Sequence, residues 1–202
     1  MLTDLRATRL LCLALLFTST LSRQAVAQWF IGLEIGSERF WGGSLETTPD
    51  QRSFRPYRPT TFSAAVERRS GSLGAALRLR YTDASMALEG SEAVVAVKGV
   101  FTVISVSAEI SYGIITLGQN QLLLHAGPVV EHWSLVDEDS RFRVGAQGAV
   151  GLNIPLGGRM AMTLLADAAV VGSPFEQDEL DPTYDLRALW RRGFAAGLRY
   201  RL

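Results

Sequence analysis

From Trp29 onward the chain alternates apolar residues with small or charged ones, and a period of two marks β-strands with two unlike faces. In Trp29–Trp41, residues Trp29, Ile31, Leu33 and Ile35 oppose Gly32, Glu34, Gly36 and Glu38. Thr60–Arg69 sets Phe62, Ala64 and Val66 against Ser63, Glu67 and Arg69, and Ser72–Thr82 sets Leu73, Leu77, Leu79 and Tyr81 against Arg78 and Arg80. Val97–Ile115 opposes Ile104, Val106, Ile110 and Tyr112 to Ser105, Ser107, Glu109 and Ser111. Gln121–Val136 is less regular, with Pro128 at a place where a ladder donor is lost. Arg141–Ile154 and Arg159–Val171 alternate again. In Arg187–Leu202, Phe194, Ala196, Leu198, Tyr200 and Leu202 share one parity, and Gly193, Gly197, Arg199 and Arg201 the other. Eight strands are predicted.

Their connections differ in length by turns. Arg69–Ser72, Thr116–Asn120 and Pro155–Gly158 are short and rich in Gly, Ser or Asn. Gly42–Pro59, Asp83–Ala96 and Ser173–Leu186 are long, with Asp137–Ser140 a short exception. Both ends of the strand series fall on the short-turn side.

Residues 1–27 read as a secretory signal peptide. Arg6 and Arg9 precede the apolar run Leu10–Phe17, which is too short to span a bilayer, and Ala25-Val26-Ala27 offers a small-x-small cleavage site. Cys12 is the one cysteine and lies in that run, so the mature domain, residues 28–202, carries no thiol. Removing the leader takes Arg6, Arg9 and Arg23 against Asp4, so 20 basic and 20 acidic residues become 17 and 19, a net charge of −2. That balance provides no general attraction to nucleic acid. No later stretch approaches the ~20 apolar residues of a spanning helix, so entry into a membrane requires a closed barrel, in which every backbone group is paired.

An even number of strands, short turns at one end and longer loops at the other resemble the small eight-stranded outer-membrane barrels, the OmpA/OmpX-like class. The resemblance covers the whole mature chain. It implies an all-β, eight-stranded antiparallel up-and-down transmembrane barrel with a side-chain-filled polar lumen. Phe194, Leu198, Tyr200 and Leu202 resemble the C-terminal signal read by the barrel-insertion machinery, though that signal ordinarily ends in an aromatic residue. The peptidoglycan-binding domain of larger members has no counterpart here, and that function does not carry over.

On this reading the apolar parity faces lipid, and Trp29, Tyr112, Trp190 and Tyr200 form interfacial girdles. Tyr81 and Trp41 are further girdle candidates. The charged parity faces a lumen just wide enough for side chains. Glu34, Glu67, Arg78, Arg80, Glu109, Glu131, Arg143, Asp167 and Arg191 are expected to pair there, because an unpaired buried charge is costly. Glu67, Glu109 and Arg80 are expected at its centre, with Arg69, Arg141, Arg199 and Arg201 closer to water at the barrel ends. Arg39 and Arg192, on the lipid-facing parity near the outer ends, suit the phosphates of lipopolysaccharide or simple contact with the headgroup layer.

Two loops carry opposite charge: Arg52, Arg55 and Arg58 in Gly42–Pro59, and Glu176, Asp178, Glu179, Asp181 and Asp185 in Ser173–Leu186. They are expected to rise side by side and either attract each other across the mouth or stand solvated. The acidic loop matches no known calcium-loop spacing, and neither metal nor cofactor is expected. His132 and Ser134 are the catalytic candidates, resembling the His-x-Ser pair of outer-membrane lipid A deacylases, but a hydrolase also needs an acid beside the histidine. The expectation is therefore a non-enzymatic, monomeric outer-membrane protein with a structural or surface-interaction role. Its partners would be outer-membrane lipid, lipopolysaccharide and the insertion machinery. Two alternatives stay open: a lipid A-modifying hydrolase, and a soluble periplasmic barrel of lipocalin type.

Overall fold

The computed structural model describes residues 27–46, 53–89, 94–135, 140–179 and 181–202. The export signal lies outside the described residues, apart from Ala27. Eight strands follow one another: β1 (Gln28–Glu46), β2 (Ser53–Ser70), β3 (Leu73–Glu89), β4 (Val94–Leu117), β5 (Asn120–Leu135), β6 (Arg141–Gly157), β7 (Met160–Val171) and β8 (Tyr184–Arg201). Each pairs antiparallel with the next, and β8 closes onto β1. Closure removes both sheet edges, which a bilayer requires because hydrocarbon offers no hydrogen-bond partner.

The hairpins at one end are as tight as a chain permits. Gly71, Gly118 and Gly158 open two-residue turns with φ of 62°, 64° and 57°. A side chain strains in that region, and the turn it allows matches the twist of the flanking strands. At the other end the strands reach further than alternation alone indicates. β1 and β2 leave only residues 47–52 between them, and β3 and β4 only 90–93. The segments Gly42–Pro59 and Asp83–Ala96, read from the sequence as loops, are thus largely strand.

The reason lies in pairing. Above Ser37↔Thr60 the β1–β2 ladder stops among the described residues, while β1 continues on β8 and β2 on β3. Pro56 and Pro59 fall in the part of β2 that has lost its β1 partner, where a missing N–H breaks nothing. Pro128 is accommodated similarly. The β4–β5 ladder skips from Ser107↔Val129 to Ile110↔Ala126, and the backbones close in there. A Cβ on Gly127 would stand 1.9 Å from the Ala108 carbonyl oxygen.

The outer surface is apolar. Leu33, Ile35, Phe62, Leu77, Leu79, Val106, Ile110, Val144, Phe194 and Leu198 are all exposed. Trp29, Tyr112 and Tyr200 ring the short-turn end, and Trp41 stacks on Trp190 at the other, 6.3 Å between centroids. From Trp29 to Trp41, twelve steps of about 3.3 Å tilted by about 40° span roughly 30 Å, the thickness of a hydrocarbon core.

Candidate functional site

The interior is the most organised chemistry in the molecule, and alternation places it there: every second residue of each strand points inward. Six carboxylates (Glu34, Glu38, Glu67, Glu109, Glu131 and Asp167) and five guanidinium groups (Arg69, Arg78, Arg80, Arg191 and Arg199) are buried in it. Their pairing is layered along the barrel axis.

In the layer closest to the short turns, Glu67 accepts from Arg69, from Ser111 Oγ at 2.8 Å and from Arg199 Nη1 at 2.9 Å. The guanidinium of Arg199 lies 3.8 Å over the Phe30 ring. In the middle layer Arg78 joins Glu34 to Glu109. Glu109 also accepts from Ser107 Oγ at 2.9 Å and Gln147 Nε2 at 2.6 Å, and His125 Nδ1 lies 3.2 Å from its second oxygen. In the layer toward the long loops Arg80 joins Glu38 to Asp167, and Arg191 pairs with Glu131 at 2.6 Å. Trp133 Nε1 donates to Glu131 at 3.0 Å.

Above these layers the lumen turns apolar. Phe40, Phe101, Val103, Val129, Trp133, Val171, Phe175 and Leu189 pack as one buried cluster, with Trp133 edge-on to Phe40 and Phe101 at about 6 Å. The polar lumen expected from the sequence therefore fills the middle and the short-turn end, beneath an apolar cap. A void of about 20 Å³ remains beside Arg78, His125 and Arg199, room for roughly one water.

Eight of the nine predicted lumen residues take part in the network: Glu34, Glu67, Arg78, Arg80, Glu109, Glu131, Asp167 and Arg191. Arg143 does not. It lies half-exposed at the long-loop mouth, where it donates to the Ser173 carbonyl and stands 3.5 Å from Glu176. Glu67, Glu109 and Arg80 do not form one centre either; each anchors a different layer. Arg69 and Arg199, expected near water, are buried in the layer closest to the short turns, and Arg141 is buried beneath the loop at the other mouth; Arg201 is exposed. Sequence reasoning missed Trp133, Ser107, Ser111 and Gln147 as partners. Their signal was parity, since Ser107 and Trp133 each stand two residues from a buried glutamate.

Residues 172–179 lie over the long-loop mouth. Ser173 Oγ donates to the Gly43 carbonyl at 2.9 Å, and Phe175 descends into the apolar cap. Arg141 grips Glu179 with both terminal nitrogens and donates to the Pro174 carbonyl at 3.2 Å. That grip holds the Glu179 carboxyl below the ordinary carboxylate value of 4.5. So the described partners of the acidic loop are the two arginines of β6; the side chains of Arg52, Arg55 and Arg58 lie outside the described residues. Asp181 instead accepts from Thr183, and no cluster able to hold a metal occurs among the described residues.

On the outer face, Arg39 and Arg192 are direct cross-strand partners between β1 and β8. Arg192 lies 5.3 Å over the Trp41 ring. His132 and Ser134 share the outward side of β5, but the close neighbour of His132 is the Phe142 ring at 4.7 Å, and its paired residues are Ile104 and Phe142. Among the described residues, no acid is brought to it.

No family model and no curated protein matches the sequence. Solved structures do match in shape. The neisserial surface protein A (NspA) superposes with a TM-score of 0.58 at 12% identity, over 87% of this chain and 99% of its own. OprG, an outer membrane protein of Pseudomonas aeruginosa, superposes with a TM-score of 0.55 at 9% identity, over 87% of this chain and 95% of its own. This chain has the fold of the small eight-stranded outer-membrane β-barrels. At these identities the likeness is one of architecture, and the interior chemistry is this chain's own.

Proposed function

We propose that this protein resides in the outer membrane as a sealed, non-enzymatic barrel with a structural or surface-interaction role. The observation that carries the reading is the pairing of an apolar exterior with a plugged interior. The exterior band is bounded by aromatic residues at both ends and has the thickness of a bilayer core. The interior is crossed by three ion-paired layers and an apolar cap, a filling that supports a sealed lumen. A lipocalin-type role needs the opposite distribution, a wet outside and an apolar cavity. Short turns face the periplasm on this reading, and the segment 172–183 faces outward.

The partners follow from the surface. Phe194, Leu198, Tyr200 and Leu202 lie on the lipid face of β8, the strand that the insertion machinery would read. Arg39 and Arg192 put two like charges side by side between lipid and water, with no described carboxylate paired to either. Like charges directly across a strand pair repel, and an anionic headgroup between them turns that cost into attraction. Phosphates of lipopolysaccharide meet this requirement. We take the barrel to act as a monomer.

The test is fractionation followed by electrical recording. The protein should fractionate with outer membranes, migrate faster on unheated than heated gels, and produce no conductance steps in a planar bilayer. Discrete steps would end the sealed-barrel reading, and recovery in the soluble periplasm would end the membrane reading.

A further inference from the structure

The short-turn mouth carries an excess of donors that nothing in the protein uses. Arg69, Arg159, Arg199 and Arg201 line an open recess of about 250 Å³, together with Gln119, Gln121 and Asn153. The fold brings them there from three elements. Arg69 lies near the end of β2 opposite Gln28, and Arg201 ends β8 opposite Phe30. Arg159 sits in the β6–β7 turn, tied to β8 by the Arg201 N–H donating to its carbonyl at 2.9 Å. Arg199 reaches in from β8 one step below.

The carboxylate paired with these guanidinium groups is Glu67, which already holds two of them, while Glu34 faces Arg199 from further inside. One Glu67 oxygen takes Arg69 and Ser111, and the other takes Arg199. Arg199 is 8% exposed, yet its Nε has no partner. Neither Arg159 nor Arg201 forms a described side-chain ion pair. The amides point the same way. Gln121 Oε1 accepts from Arg69 at 2.8 Å and Asn153 Oδ1 from Thr163 at 2.9 Å, so both amide oxygens are taken within the protein. What remains is a concave surface of donors with a net positive charge and almost no free acceptor. A neutral alcohol or amine could not satisfy it; a group with several acceptor oxygens and a negative charge could.

We propose that this mouth is a binding site for a phosphate or polycarboxylate group presented from the periplasm. The recess is just below the usual size for a drug-like ligand, which suits a compact anionic head rather than a large one. Arg199, Gln121 and Asn153 line its inner side. Arg159 and Arg201 close over it from the rim. Phosphate chemistry can reach this point from a lipid headgroup of the inner leaflet or from a soluble anion. The periplasmic address rests on the outer-membrane reading, but the binding itself does not, because it is measured in micelles that have no sides.

The test uses the full mature barrel folded in maltoside micelles, with pyrophosphate as probe and the arginine Nε–H resonances as readout. A saturable shift of the Arg199 resonance is expected. Arg159→Gln with Arg201→Gln should weaken it by about tenfold or more, since two charge-assisted contacts are removed. Arg187→Gln, at an exposed position near the opposite end of β8, should leave it unchanged. Both rim residues are exposed and unpaired, and the unheated gel shift confirms folding; the single Arg201→Gln variant serves if the double one misfolds. Absence of a saturable shift, or an undiminished one in the folded rim variants, overturns the site. Nanodiscs then separate the sources. Pyrophosphate binding lost when phosphatidylglycerol replaces phosphatidylcholine assigns the site to a lipid headgroup, and binding retained assigns it to a soluble anion; either result presupposes the site. A sealed barrel without this binding would leave the proposed function standing, and binding by a conducting barrel would do the reverse.

Discussion

Arg78 shows how the interior works at the scale of one side chain. It is buried between Glu34 and Glu109, and each carboxylate depends on it for its charge partner. Replacing it with methionine keeps the stem and deletes the fork, leaving two buried anions facing each other. Breaking a buried pair costs about 3–5 kcal/mol, because the orphaned charge remains. Arg78→Met should therefore lower stability by about that amount, read as urea unfolding from phosphocholine vesicles. An unchanged midpoint would mean the layer holds water in place of tight pairing. On the outer face, Arg192→Ala removes both a guanidinium and its position over Trp41. The variant should fold normally and retain less lipopolysaccharide through purification than the parent protein, by quantitative phosphate assay. Equal retention would mean that Arg39 and Arg192 merely reach the headgroup layer.

At the scale of elements, the strands carry their own instructions and the outer loop borrows its own from a neighbour. The segment 172–183 is held to β6 by Arg141 and Glu179 and to β1 by Ser173. The Glu179 carboxyl titrates below its ordinary value of 4.5 because Arg141 donates to it. A depressed carboxylate stabilises the closed loop fully above that ordinary value, and the contribution is lost as pH falls through the lowered one. The loop should thus stay closed at neutral pH and loosen in acid below 4.5. The Glu176 N–H, which donates to Glu179 at 2.9 Å, reports this directly by amide hydrogen exchange. Glu179→Gln should loosen the loop at neutral pH and abolish the acid step. Pairing with Arg141 also makes the closure less sensitive to salt than a contact between two solvated loops would be.

At the scale of the whole molecule, the charged layers and the apolar cap fill the lumen at different heights, so on the sealed-barrel proposal removing one leaves the rest. Trp133→Ala should hollow the cap and still give no conductance steps in planar bilayers. Steps in that variant would make the cap the sole barrier. The two ends differ in chemistry as well: the short-turn mouth gathers Arg69, Arg159, Arg199 and Arg201, while the opposite mouth presents Glu176, Asp178 and Asp181. In the proposed outer-membrane orientation, these two ends would offer different surfaces to the periplasm and the outside.

Strand number, the closed antiparallel order and the direction of nearly every side chain were legible in the sequence, because a period of two is local and each residue carries its own parity. Eight of the nine charges expected to pair in the lumen do so. Which charge meets which did not. Contacts across the lumen depend on register and strand tilt, quantities shared by all eight strands and written in none of them. That is why Glu67, Glu109 and Arg80 lie in three layers, and why Arg143 rises to the mouth. The ends of β1 to β4 were hidden for a related reason: Pro56 and Pro59 read as loop until the lost β1 partner is seen. The donor-lined recess is likewise a product of closure, since its arginines come from strands and a turn that meet only once the sheet becomes a cylinder. Sequence determined the faces; the tertiary structure decided the encounters, because alternation is a property of one chain segment and pairing a property of the closed sheet.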